Sequence, residues 1–176
     1  VTVTIRPAVA GDVAAIDELV LASFPAPAEA RLIGELCTDG DMVLMMVATA
    51  DDEAGGGGPV VGIAAFSRMT VTVGGQAVPS VALAPVAVAA DHRGQGTAEA
   101  LVTAGLERLE AVGVVLCFVL GEPAFYERFG FDRLLAQGFE TPYAGDYLMA
   151  IPLQGGLMPC GVRGAATHAA AFARLG

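Results

Sequence analysis

The chain is 176 residues long, 55% hydrophobic but only 6% aromatic, and carries 19 acidic against 9 basic side chains for a net charge of −10. That length suits a single domain with its own core; the acidic balance speaks against a nucleic-acid partner, whose phosphates want a basic surface, and suits an amine, although solubility alone also accounts for it. No apolar run reaches the ~20 residues of a membrane span, no basic-then-apolar leader opens the chain, and Cys37, Cys117 and Cys160 form no CxxC or Cys/His cluster, so a reduced, cytoplasmic protein with no metal and no membrane partner is expected.

Residues 2–6 alternate and read as a strand closed by Pro7. Val13, Ile16, Val20 and Phe24 fall at helical spacing over 11–24, with Asp12 as the cap, before Pro25 and Pro27 break the chain. A short helix over 28–37 and a turn at 38–41 lead to a near-continuous apolar strand over 42–48. The stretch 51–59 reads as a flexible hairpin loop; no Lys-Ser or Lys-Thr follows its glycines to make a phosphate cradle. A strand over 60–73, a turn at Gly74-Gly75 and a strand over 77–88 form a hairpin. A helix over 97–112 puts Ala98, Leu101, Val102, Gly105, Leu109 and Val112 on one face. A buried strand at 114–120, a short helix at 123–128, extended chain from Phe131 and a strand over 147–153 follow. The Gly- and Ala-rich tail, 155–176, is expected to be helical over 165–175; it reads equally as a cap on a cleft or as the contact of a homodimer. Hairpins around one βαβ unit predict an α/β protein with a mixed sheet and helices on its faces, as a domain over 1–153 with an extension over 154–176.

The junction Arg93-Gly94-Gln95-Gly96-Thr97-Ala98 separates an apolar strand from an amphipathic helix. The first turn of a helix leaves backbone N–H groups free and partly positive, which suits a phosphate. Gly94 and Gly96 let the backbone approach an anion, Ala98 lets the helix sit tight on the strand, and Arg93 adds a cation. The spacing alone leaves a plain strand-to-helix turn equally open; the pattern is neither a P-loop nor a dinucleotide fingerprint. Pro85 tips the balance, because a proline inside a central strand implies a bulge. A bulge would splay this strand from its parallel neighbour and leave backbone groups of Val86, Ala87 and Val88 unpaired. An amide-bearing arm in that gap, leading to a diphosphate on the helix terminus, describes coenzyme A.

The segment from Leu83 to Val88 followed by Asp91-His92-Arg93-Gly94-Gln95-Gly96-Thr97-Ala98 resembles the GNAT superfamily of N-acetyltransferases, whose Arg/Gln-x-x-Gly-x-Gly/Ala element is met by Arg93, Gly96 and Ala98. The run from Ala124 to Phe131, AFYERFGF, resembles the family's Phe-Tyr-x-x-x-Gly-Phe element. The resemblance implies a mixed sheet splayed between its fourth and fifth strands, and transfer of acetyl from acetyl-CoA to a primary amine of a small molecule or peptide. It implies cofactor contacts at Val86, Ala87, Val88, Arg93, Gly94, Gln95, Gly96, Thr97 and Ala98, with the N–H of Val86 or Ala87 stabilising the thioester oxygen. Tyr126 matches the family's general acid, its phenol protonated at neutral pH. Glu122, just after a strand end, is the candidate base; Glu29 and His92 are weaker ones, while Cys117 reads as a core thiol and His168 as an exposed helix position. A module of the same fold that holds CoA as a sensor, without turnover, is the alternative, and a phosphate-binding protein of another fold is a third.

Overall fold

The computed structural model describes residues 2–52 and 57–175; the centre of the expected 51–59 loop, residues 53–56, lies outside them. The elements run β1 Val3–Pro7, α1 Val13–Ser23, α2 Ala28–Thr38, β2 Met42–Ala50, β3 Val60–Val73, β4 Gln76–Val88, α3 Thr97–Ala111, β5 Leu116–Leu120, α4 Pro123–Tyr126, α5 Arg133–Ala136, β6 Leu148–Pro152, β7 Arg163–His168 and α6 Ala170–Ala173. The strands form one sheet in the order β1-β2-β3-β4-β5-β6, with β7 also on β3. Every pairing is antiparallel except β4–β5, the parallel pair that the βαβ reading requires. Among the described residues no helix is long and apolar enough to cross a membrane.

Helices cover both faces. On one, Leu101, Val102, Leu106 and Leu109 of α3 join Ala64 and Phe66 of β3 and Leu83 of β4. On the other, Ile16, Leu19 and Val20 of α1 and Ile33 of α2 meet Val47, Ile63 and Ala87. Two glycines bring α3 close to the sheet: a Cβ on Gly105 would lie 2.4 Å from the Phe66 ring, and one on Gly62 would lie 2.9 Å from Leu101 and 3.2 Å from Thr97. The close approach at the start of α3 therefore comes from Gly62 on the strand, whereas Ala98 is only half-buried. Val112 is not on the buried face either; α3 ends at Ala111, Gly113 turns the chain at φ 88°, and Val112 is left 76% exposed while Leu106 is buried in its stead.

Four further expectations are corrected. The tail is not a helix over 165–175: Arg163–His168 is a strand and only Ala170–Ala173 is helical. The cause lies in β3, which is 14 residues long against nine in β2. Its pairing with β2 ends at Ser67, so the edge from Met69 to Val73 stays open for β7. His168 consequently is not an exposed helix position; it packs edge-on against Tyr143 and Phe172, with ring centroids 4.8 and 5.0 Å away. Burial lowers its pKa to about 4. The chain after Phe131 is not extended but forms α5, capped by the Asp132 carboxylate accepting from Leu134 N–H at 2.8 Å. Asp12 does not cap α1; its carboxylate accepts from both Arg6 nitrogens, at 2.7 and 2.9 Å, and from Val9 N–H at 2.8 Å.

Candidate functional site

The site grows from a bulge in β4. Ala64 of β3 pairs with Val86, but Phe66 pairs with Leu83, so Ala84 and Pro85 together face a single β3 residue, and the Ala84–Pro85 peptide is cis. Pairing of β4 with β5 covers only Ser80–Leu83 against Leu116–Val119. Beyond it Val86, Ala87 and Val88 pair on one side only, with β3. Ala89 N–H donates to Val61 C=O at 2.7 Å. Since backbone groups alternate sides along a strand, those of Ala87 also face β3, and those of Val86 and Val88 face the open side. The Arg93 Nε donation to Val88 C=O, at 2.9 Å, comes from that side. Of the two expected donors, the Val86 N–H therefore opens to the split, while Ala87 is buried among residues of α1 and α2.

The turn that follows is set by two residues in the left-handed region, Gly94 at φ 73° and Gly96 at φ 81°. Gly96 is the N-cap of α3 and no side chain caps the helix, so the amides of Thr97, Ala98 and Glu99 stay available. Gln95 Nε2 donates to Asp91 C=O at 3.3 Å and braces the turn from outside. Val86, Val88, Arg93, Gly94, Gly96, Thr97 and Ala98 line one cavity of about 270 Å³; Gln95 and Ala87 do not. A larger cavity, about 690 Å³, lies between α1, α2 and β2, but its wall is almost wholly apolar and offers no cation. The smaller cavity combines uncapped amides, an arginine and an open strand edge, a donor set suited to a diphosphate joined to an amide chain.

Three residues in the same cavity were not singled out as cofactor contacts: His92, Glu99 and Phe125. Glu99 sets a carboxylate beside the uncapped amides of α3. Arg128 meets it at 2.8 Å, and its guanidinium also lies 4.7 Å from the centroid of the Phe125 ring. This bridge ties the AFYERFGF turn to the first turn of α3. Only an i,i+3 or i,i+4 pair can be read from local spacing, and these partners are 29 residues apart. The Nδ1 of His92 is buried without a hydrogen-bond partner.

Tyr126 ends α4, half-buried beside Phe125, Phe129 and Phe131, at centroid distances of 4.9, 6.4 and 5.8 Å. No described residue hydrogen-bonds its hydroxyl. Burial first, and the nearby Cys117 second, push its pKa above the ordinary phenol value, so the proton stays on at neutral pH. Cys117 is fully buried and burial pushes its thiol strongly up. Glu122 is the exposed N-cap of α4; its carbonyl accepts from Phe125 and Tyr126 N–H at 3.1 and 3.2 Å, and its carboxylate is outside the cavity. Glu29 lies in the first turn of α2, remote in sequence from the bulge and half-buried.

A family profile described as an acetyltransferase (GNAT) domain matches residues 4–134. The chain belongs to the GNAT acetyltransferase family. It is 45% identical over 121 residues, 69% of this chain and 68% of the relative, to YhbS of Escherichia coli K12, described as an uncharacterized N-acetyltransferase. The crystal structure of that GNAT N-acetyltransferase in complex with CoA superposes with a TM-score of 0.85 at 35% identity, covering 99% of this chain and 93% of that one. A GNAT acetyltransferase from Brucella melitensis in complex with acetyl-CoA gives 0.75 at 27% identity, covering 97% and 98%. The GNAT membership places the chain among the acyltransferases, and the splayed β4–β5 pair is the GNAT arrangement.

Proposed function

We propose that this GNAT protein is an N-acetyltransferase that moves the acetyl group of acetyl-CoA to a primary amine of a small molecule or peptide. The observation that carries the reading is the cavity in which the open edge of Val86–Val88 runs into the uncapped amides of α3. The backbone of Val86 and Val88 would pair with the amide arm; the turn at Gly94 and Gly96, the amides of Thr97 and Ala98, and Arg93 would hold the diphosphate, with Gln95 bracing the turn. Acetyl-CoA supplies an activated acetyl carbonyl and a thiolate leaving group. The Val86 N–H is the donor for charge that develops on the carbonyl oxygen. Tyr126 holds the proton that the thiolate takes, and Glu122, because its carboxylate is exposed, draws the amine proton through water. The CoA complex of YhbS and the acetyl-CoA complex of the Brucella protein support the choice of donor.

The test is release of free thiol from acetyl-CoA across a panel of amines, run beside thermal melting with CoA. Turnover with at least one amine and a CoA-dependent rise in Tm are expected; ligand at a hundred times its Kd adds ~2.7 kcal/mol. A rise in Tm with no thiol release from any amine would make the chain a CoA-binding module without turnover. No rise with CoA would remove the proposal altogether.

A further inference from the structure

Gly121 follows β5 directly and lies against Tyr126. A Cβ built on it would fall 2.5 Å from Cε2 of the Tyr126 ring, 3.1 Å from Cδ2 and 3.5 Å from Cζ. The three nearest atoms all belong to that one ring. The backbone gives no other reason for glycine here, because Gly121 is not among the residues with a positive φ. Neither partner can easily retreat. The Gly121 N–H is tied to the Tyr147 carbonyl at 3.1 Å, immediately before β6. The ring has Phe125 and Phe131 edge-on, with centroids 4.9 and 5.8 Å away. Contacts under 3 Å are not met by real Cβ atoms, so any side chain at 121 must move the phenol or the strand end.

We infer that Gly121 is a positioning residue for Tyr126: the missing side chain is what lets the phenol seat against the end of β5. The inference rests on the reading of Tyr126 as the general acid. A proton donor displaced by about an ångström loses much of its effect, while the phosphate turn, on a different loop, is untouched. Gly121 therefore acts on the acid alone and not on donor binding.

The test uses Gly121→Ala, Tyr126→Ala, Tyr126→Phe and the double variant Gly121→Ala/Tyr126→Ala in the full chain. Gly121→Ala is expected to lower Tm by roughly 3–10 °C, from an overpacking cost at this chain length, and to lower kcat roughly tenfold or more with the Kd for CoA held within about twofold. In the Tyr126→Ala background the same substitution is expected to leave Tm unchanged, since the obstructing ring is gone. That comparison needs no activity and holds even if Gly121→Ala alone fails to fold. Phenolate absorbance near ~295 nm, with Tyr126→Phe subtracted to isolate Tyr126, is expected to titrate at lower pH in Gly121→Ala because the displaced ring meets water. Equal Tm losses with and without the ring overturn the inference, as does a Gly121→Ala protein with wild-type kcat. Wild-type thiol release by Tyr126→Phe overturns the acid assignment and the inference with it. Loss of turnover in Tyr126→Phe but not in Gly121→Ala overturns the inference alone.

Discussion

A carboxylate introduced at Gly96 tests the proposed phosphate turn separately from every other part of the site. Gly96 sits at φ 81° as the N-cap of α3, and its Cβ would point into open space, with Glu99 Oε2 at 3.9 Å as its nearest neighbour. Aspartate is among the few side chains that tolerate the left-handed region; the backbone cost is about 1 kcal/mol, and an acid at a helix N-cap recovers a similar amount. The fold of Gly96→Asp should therefore survive with its Tm within a few degrees of the parent. Binding is another matter. A carboxylate about 5 Å from a bound phosphate, at an effective dielectric of about 20, costs about 3 kcal/mol, or roughly two orders of magnitude in Kd. Gly96→Asn is the control, since it has the same backbone demand and no charge. Isothermal titration of both variants with CoA should show a Kd raised roughly a hundredfold for Asp and only a few-fold for Asn, with the gap narrowing as salt rises. If Asp and Asn lose affinity equally, charge is not what the turn reads. If both bind like the parent, the diphosphate is held elsewhere.

Tyr126→Phe should lower kcat by roughly a hundredfold, the low end of general acid contributions, while CoA melting shifts stay as in the parent; unchanged kcat would take Tyr126 out of the mechanism. Glu122→Gln should lower kcat/KM for the amine by roughly tenfold or more near neutral pH, and by less at high pH, where more of the amine is already neutral. A pH–rate profile that overlays the parent's would leave proton removal to solvent. For Asp12, the bidentate Arg6 contact and the Val9 N–H lower the carboxyl pKa from 3.8 to about 2. That shift corresponds to about 2 kcal/mol, reduced towards ~1 kcal/mol because the Arg6 side chain is 35% exposed. The folded-state pKa is depressed, so the stabilisation is present above about pH 4 and is lost as pH falls towards 2. Urea titrations from pH 7 to 2 should show Asp12→Asn less stable at neutral pH and flatter across the acid range; parallel curves would assign the acid limb to other carboxylates.

Much of the site can be read in the sequence because its demands are local. The glycines at 94 and 96 are legible as backbone positions with positive φ, Pro85 as the mark of a bulge, and the apolar period of α3 as the face that packs on the sheet. What escapes a local reading is set by partners distant along the chain. Gly- and Ala-rich residues 163–168 hold no strong strand signal; they become β7 because β3 outruns β2 and leaves an edge to be paired. The Glu99–Arg128 bridge is invisible to any rule of helical spacing. Asp12 looks like a cap until Arg6, on the strand before it, claims both of its oxygens. Gly62 and Gly105 did carry a usable signal, since glycine inside a strand or helix points to a close approach: Gly62 seats the first turn of α3 against β3, and Gly105 the middle of the helix against Phe66.

The choice between the Val86 and Ala87 amides shows why local reading stops where it does. Proline announces a bulge without saying how many residues it absorbs, and along a strand each added residue turns every following N–H to the opposite side. With Ala84 and Pro85 facing one residue of β3, Val86 opens to the split and Ala87 bonds across the sheet. Had the bulge absorbed one residue fewer, the two would exchange places, and Arg93 could not reach the Val88 carbonyl from the open side as it does. Which of the two amides faces the split is thus decided by the register of β3 against β4. That register depends on contacts spanning more than twenty residues, from Gly62 to Val88.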